Sequence, residues 1–383
     1  MSNVLVGLVG DVIVNREHPA EAFNEVRDVL QAPDIMFANL GCAYTDNPRP
    51  VPATLVIGPA ARNLDVYSQV GFDVVSMANN HILDMGYEAM LETRARLRDQ
   101  GVKTCGAGDC EADARQPAIM EVNDVRVAFL GYASVFPMGY EARHNTPGLV
   151  PMRAYNLYRD LFPGFYLPGY APVVTTVPDQ DDLAKLADDI HRARECADLV
   201  VTSFRWGDFT RPFHLTDHET RTARYCIDQG ADMVVGFLHH ALRGMEWYKG
   251  KPIMYGLGHF VIDSRLEFSE ELKRAYLEPG REDTSYQLGP RQGWPLLPFH
   301  KDTRMTVMAW AYGNRDGISD VGFLPCRLTA DGLIHPLRLD SIESDEVVEY
   351  IKRCNRTQGI KSTIVSGGSL SIAGLQTLRV LPD

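Results

Sequence analysis

Short apolar runs that each end in a polar cluster recur along this chain, and that rhythm points to an α/β fold. Val4–Val9 leads into Gly10-Asp11, and Asp34–Asn39 into Leu40-Gly41. Phe72–Met77 leads into Asn79-Asn80-His81, and Leu199–Phe204 into Arg205-Trp206-Gly207-Asp208. Apolar runs of this length, bounded by Gly and polar residues, read as buried strands. Glu21–Leu30, Asn63–Gly71, Tyr87–Gln100, Asp181–Cys196 and Glu219–Gln229 read as helices between strands, and Val125–Tyr132 as a further strand. In α/β sheets, functional side chains gather at the carboxyl ends of strands.

The densest cluster lies in residues 230–263. Three apolar runs, Met233–Val235, Ile253–Tyr255 and Phe260–Ile262, are separated by polar, Gly-bearing connections. His239 and His240 stand between the first two, and His259 directly precedes the third. Imidazole carries protons near neutral pH and ligates metals. One such histidine is readily explained as a satisfied polar residue at a turn; three at strand ends point to a site.

Two stretches break the rhythm. Residues 136–180 are rich in Pro, Gly and aromatics, with Tyr155, Tyr158, Phe162, Phe165, Tyr166 and Tyr170 close together. They suggest either a satellite core beneath a long loop, or a lid or aromatic groove for a peptide. Residues 264–304 form a second irregular insert. Met305–Ala311 then starts β structure that continues to residue 340, and Asp345–Cys354 reads as a closing helix. Residues 1–340 are expected to form one domain, with 341–383 packed on it as an extension.

The formal charge of −12 argues against nucleic acid as a partner, since such footprints are basic. Seven cysteines without CxxC spacing read as reduced thiols. The first residues lack the pattern of an export signal, and no apolar stretch approaches the roughly 20 residues of a membrane helix. The expectation is a cytoplasmic protein without membrane contact, of unknown oligomeric state.

The ordered set Gly10-Asp11, Asn39-Leu40, Asn79-Asn80-His81 with Asp84-Met85-Gly86, Trp206-Gly207 and the run from Gly230 to Phe260 resembles the CapA family. CapA proteins are associated with poly-γ-glutamate synthesis and are similar to calcineurin-like metallophosphatases. The resemblance covers about residues 4–263. It implies a layered α/β sandwich of the calcineurin-like metallophosphatase type, with the aromatic and Pro-rich stretches as insertions.

The chain departs from the family pattern at the metal positions. Gly41 stands where an acid follows Asn-Leu, and Arg205 where His precedes Trp-Gly. Leu238-His239-His240 replaces His-Pro-His, and Gly258-His259-Phe260 replaces Gly-Asn-Phe. These changes remove charge compensation and donor atoms, and Arg205 adds a fixed positive charge. Asp11, Asn80 and His240 remain as a poor zinc set. The expectation is a site with no metal and no cofactor.

A carboxylate, imidazoles and a guanidinium suit proton abstraction beside a carbonyl: a base removes the Cα proton, cationic groups hold the enolate, and an acid returns the proton. This pattern is similar to the CapA-like peptide epimerases of lasso-peptide biosynthesis. That resemblance implies inversion at the C-terminal residue, tryptophan in the type system, of a ribosomally made precursor peptide. Asp11 and His259 are the expected proton carriers, with His240 and His81 orienting or replacing them. Arg205 would bind a substrate carboxylate or enolate oxygen. His239 is expected to share that orienting or replacing role beside the substrate, and Asn80 to donate a hydrogen bond. Trp206 is a candidate pocket wall, with core packing as its competing role. The alternatives are a CapA-type metal-dependent hydrolase or amide-bond enzyme, and a non-catalytic peptide-binding homologue.

Overall fold

The computed structural model describes residues 2–51, 56–264, 286, 288–289, 291–366 and 370–383. Two mixed β-sheets pack face to face. The larger is built around strand β1 (Val4–Ile13), which pairs in parallel with β2 (Ile35–Leu40); β3 (Val74–Ser76) and β4 (Lys103–Cys105) follow in parallel. The second sheet contains β5 (Ala118–Val122), β6 (Val125–Ala133), β7 (Leu199–Arg205), β8 (Met233–Phe237), β9 (Met245–Tyr248) and β10 (Lys251–Met254). Its order is β9-β10-β8-β7-β6-β5.

Alternation along the strands sends one set of side chains between the sheets. Val6, Leu8 and Phe37 from the first sheet meet Val127, Phe129, Val201 and Val235 from the second. The Phe37 and Phe129 rings stack at 5.2 Å. On the outer face of the second sheet, Leu186, Ile190 and Ala193 of helix Gln180–Cys196 and Ala223 and Cys226 of helix Asp217–Asp228 bury against Val200, Phe204 and Val234. Helix Tyr87–Asp99 closes the outer face of the first sheet through Ala89, Met90 and Leu97. The result is a layered α/β sandwich.

One divided strand organises the site. Residues Val4–Leu8 of β1 pair antiparallel with β12 (Met305–Asn314), whereas Asp11–Ile13 pair in parallel with β11 (His259–Ile262). The sequence suggests a turn at Gly10-Asp11, but the strand continues because a new partner arrives. The Asp11 N–H donates to the Gly258 carbonyl at 3.1 Å. A Cβ on Gly10 would lie 2.0 Å from that carbonyl oxygen, so only glycine permits the approach.

Other departures have local causes. Expected helices at 21–30 and 63–71 are each split into a 3-10 turn and a short α segment, none with a side-chain cap. Segments this short gain too few bonds to offset nucleation. The C-terminal helix Ile342–Gln358 packs on β13 (Gly317–Leu328), and strands Thr363–Val365 and Leu378–Leu381 extend the edge of the first sheet. Among the described residues no helix is long and apolar enough to cross a membrane.

Candidate functional site

Five strands and the loops that follow them converge on one pocket of about 300 Å³. Asp11 comes from β1, Asn80 and His81 from the loop after β3, Arg205 from the end of β7, His240 from the loop after β8, and His259 from the start of β11. Asp11 stands opposite His259 in the strand register. The walls above this polar floor are apolar and include Ile13, Val135, Ile262, Leu288, Phe209 and Phe299.

Asp11 is buried and fully engaged. One carboxylate oxygen accepts from Arg205 Nη1 at 2.6 Å and the other from Asn39 Nδ2 at 2.7 Å. Arg205 Nε donates to Asn80 Oδ1 at 2.8 Å, which holds the guanidinium plane. Arg205 is itself 3% exposed, so this ion pair is sealed from bulk water.

His240 Nδ1 and His259 Nε2 lie 2.6 Å apart, so one ring donates to the other. Burial pushes both imidazoles below their ordinary pKa, His259 to about 4; Arg205 lowers both further, and Asp11 opposes the shift of His259. Both are therefore neutral at pH 7 and able to accept a proton. Phe299 packs on this pair, with centroids 4.3 Å from His240 and 4.8 Å from His259. Leu238 and His240 hold positive φ angles of 93° and 58°, strain typical of a functional loop. His81 lines the pocket and is oriented by Asp84, whose carboxylate lies 2.7 Å from Nδ1.

Two expected site residues are not brought to the pocket. Trp206 is fully buried, stacked on Phe204 at 4.4 Å with its indole N–H bonded to the Tyr255 carbonyl. Neighbouring residues of an extended chain point to opposite faces, so Arg205 faces the pocket and Trp206 the core. His239 lies behind its neighbour and pairs with buried Glu219 at 2.7 Å. Burial raises the Glu219 pKa, but His239 and the Thr216 hydrogen bonds outweigh it and leave the carboxyl below its usual value.

The aromatic stretch also departs from the satellite-core reading. It forms an exposed hairpin, Ala154–Arg159 with Val173–Pro178, and Tyr158, Phe165 and Tyr166 face solvent. None of these residues lines the pocket. The second insert does so through Leu288 and Phe299, while its residues 265–285, 287 and 290 lie outside the described ones. Sequence reasoning missed Phe209, Leu288, Phe299 and Glu219; the glutamate was findable as the fourth residue of the capping box Thr216-Asp-His-Glu219.

Asp11, His240 and His259 present three atoms within 4.8 Å of one another, a spacing that a metal ion could bridge. The donors, as arranged, do not fit a divalent cation. Arg205 holds the Asp11 oxygen that faces His240, and the imidazoles bond each other. A side chain at Gly41 would meet Ile13 at 2.1 Å, so apolar carbon occupies the space of the family acid. Metal binding would require Arg205 to withdraw.

Residues 5–264 match the family model described as "Bacterial capsule synthesis protein PGA_cap". The PGA biosynthesis protein CapA of Bacillus subtilis (strain 168) is 26% identical over 266 residues, which are 69% of this chain and 62% of that protein. The capsule biosynthesis protein CapA of Bacillus anthracis is 25% identical over 269 residues, covering 69% of this chain and 59% of that one. The chain thus spans about three fifths of the length of these two relatives. Among solved structures, the calcineurin-like phosphoesterase YfkN of Bacillus subtilis is a distant likeness: 11% identity, TM-score 0.35, covering 93% of this chain and 97% of that chain.

Proposed function

Because this chain belongs to the PGA_cap family, of bacterial capsule synthesis proteins, we propose that its pocket binds a peptide-like chain bearing carboxylates and transfers protons beside one of its carbonyls. One observation carries the reading. A buried carboxylate–guanidinium pair lies beside two neutral, mutually bonded imidazoles at the floor of an apolar-walled pocket. The walls suit a large apolar or aromatic side chain, and the floor suits enolate formation.

The reaction proposed is epimerisation at Cα, in a C-terminal residue of a ribosomally made peptide such as a lasso precursor. The relatives' names speak for capsule and PGA synthesis, so this finer reading rests on the polar floor and on the departures at Gly41, Arg205 and His259. Each base must reach Cα at about 3 Å, so two carriers on opposite faces stand about 5–6 Å apart. Asp11, His240 and His259 are held within 4.8 Å and would serve one face together. His240, 15% exposed, would take the proton and pass it to His259. His81, set by Asp84, would act from the other face. Arg205 would hold the enolate oxygen.

A second reading, a CapA-type metal-dependent hydrolase or amide-bond enzyme, is favoured by the relatives' names and requires Arg205 to leave Asp11 before the donors Asp11, His240 and His259 could hold an ion. Incubation of a peptide substrate in D2O separates the two. Solvent deuterium at Cα with a change of configuration, unaffected by chelator, supports proton transfer. Bond cleavage or formation that needs added metal supports the second reading. Binding with neither outcome marks a non-catalytic homologue.

A further inference from the structure

The hairpin of Ala154–Arg159 and Val173–Pro178 is a sheet of two strands only. Such a ribbon is marginally stable in water unless something covers it. Its base is pinned to the body of the protein. Arg153 Nε donates to Asp182 at 2.8 Å, and the Tyr155 hydroxyl to Asp179 at 2.8 Å. The Thr176 N–H donates at 3.2 Å to Asp217, at the start of helix Asp217–Asp228. The ribbon therefore stands in a fixed direction with most of its length uncovered.

Its two edges differ. Opposed residues of an antiparallel pair alternately do and do not exchange hydrogen bonds. The Thr176 N–H is directed to Asp217, so Thr176 and Asn156 are a non-bonded pair, as are Val174 and Tyr158. The backbone groups of Asn156 and Tyr158 consequently face away from the ribbon, and among the described residues nothing pairs with them. This free edge, Ala154–Arg159, has no proline, lysine or bulge, the features that guard an edge strand against pairing.

The surface around the edge is apolar and almost uncharged. Tyr155, Tyr158, Phe162, Phe165, Tyr166 and Tyr170 are each more than half exposed. At about 200 Å² per ring they present roughly 800 Å², about what each partner brings to a stable interface. Residues 154–178 carry only Arg159 and Asp160 as charges, which cancel, in a chain of net charge −12. Two copies of so acidic a chain repel least where they meet through such a surface. An anionic membrane finds no lysine here to attract it.

We propose that a second copy of this chain covers the hairpin, the two Ala154–Arg159 edges pairing antiparallel into one continuous sheet with the loop aromatics packed around it. A strand laid antiparallel on its own copy satisfies the same groups on both sides, as a closed two-fold contact requires. The assignment is independent of the reaction proposed for the pocket, whose walls include none of these residues.

The test is sedimentation equilibrium of the full chain, which should give a dimer at low micromolar concentration. Asn156→Pro deletes one outward N–H and suits an edge strand. Phe165→Asp/Tyr166→Asp places carboxylates in the exposed loop. Each should weaken the dimer about tenfold or more, with an unchanged circular dichroism spectrum. Amide exchange at 154–159 should be slow in the wild-type dimer and fast in both variants. If Asn156→Pro fails to fold, the loop variant decides the matter. A wild type that stays monomeric, a dimer unaffected by either variant, or a dimer with unprotected 154–159 amides overturns the proposal. So does a monomer that floats with phosphatidylcholine vesicles, which would mark the loop as a membrane contact.

Discussion

Asp11 Oδ2 and Arg205 Nη1 meet at 2.6 Å, and the two side chains are 2% and 3% exposed. They are 194 positions apart in sequence and stand in different sheets, so the contact also measures how well those sheets are assembled.

Removing one member of this pair strands the other in the interior. Asp11→Ala should cost about 3–5 kcal/mol, the usual penalty for an uncompensated buried charge. Asp11→Ala/Arg205→Met should recover much of it, because apolar replacement of both partners is often neutral. Urea titration of the three proteins measures the difference, and a double variant no more stable than the single would show that the pair is not the cause.

Arg205→His restores the imidazole of the family pattern and frees an Asp11 oxygen. Zinc or manganese content after loading and desalting, read by elemental analysis, should rise from near zero in wild type to near stoichiometric in the variant. Stoichiometric metal in wild type would mean that Arg205 yields its place readily.

Acid should destabilise the protein before its carboxylates titrate. In the folded chain burial holds His259 at about 4, whereas an unfolded histidine titrates near 6.5. Between these values the unfolded state binds more protons, so stability is fully present above about 6.5 and is lost as pH falls towards 4, at about 1.4 kcal/mol per unit. His259→Asn, which cannot titrate, should flatten this slope in urea titrations at pH 7 and 5. An unchanged slope would assign the effect elsewhere.

Glu219 supports two structures at once, the start of helix Asp217–Asp228 and the ring of His239. Glu219→Ala loses a cap, about 0.5–2 kcal/mol, and leaves a buried imidazole unpaired, about 1–3 kcal/mol. Glu219→Gln, which keeps one acceptor, should lose less. Thermal unfolding of both variants checks the order.

His81→Gln should make proton exchange one-sided. If His81 serves the face opposite Asp11, His240 and His259, one Cα configuration should still exchange its proton with D2O while net inversion falls by about 10²–10⁴-fold. Equal loss of exchange from both configurations would place His81 in a positioning role.

The strands and the identities at their ends were legible because buried strands leave continuous apolar runs. Met233–Phe237 and His259–Ile262 differ from the expected runs by at most two residues. Direction was harder to read. His239 and His240 are adjacent, yet positive φ at Leu238 and His240 turns only the second to the pocket. Phe299 stayed hidden because the sequence of 264–304 has no periodic pattern from which a place over His240 could be read. The satellite core expected in the aromatic stretch did not form because Ala154–Arg159 and Val173–Pro178 make a separate two-stranded sheet, which leaves Tyr158 and Val174 exposed.

The divided pairing of the first strand has a consequence for how the protein is made. Residues Asp11–Ile13 cannot find their partner until residue 262 has been synthesised, and Val4–Leu8 wait for residues beyond 305. During translation the opening segment must therefore persist with one flank uncovered, and the polar floor of the pocket is complete only once residue 262 has left the ribosome.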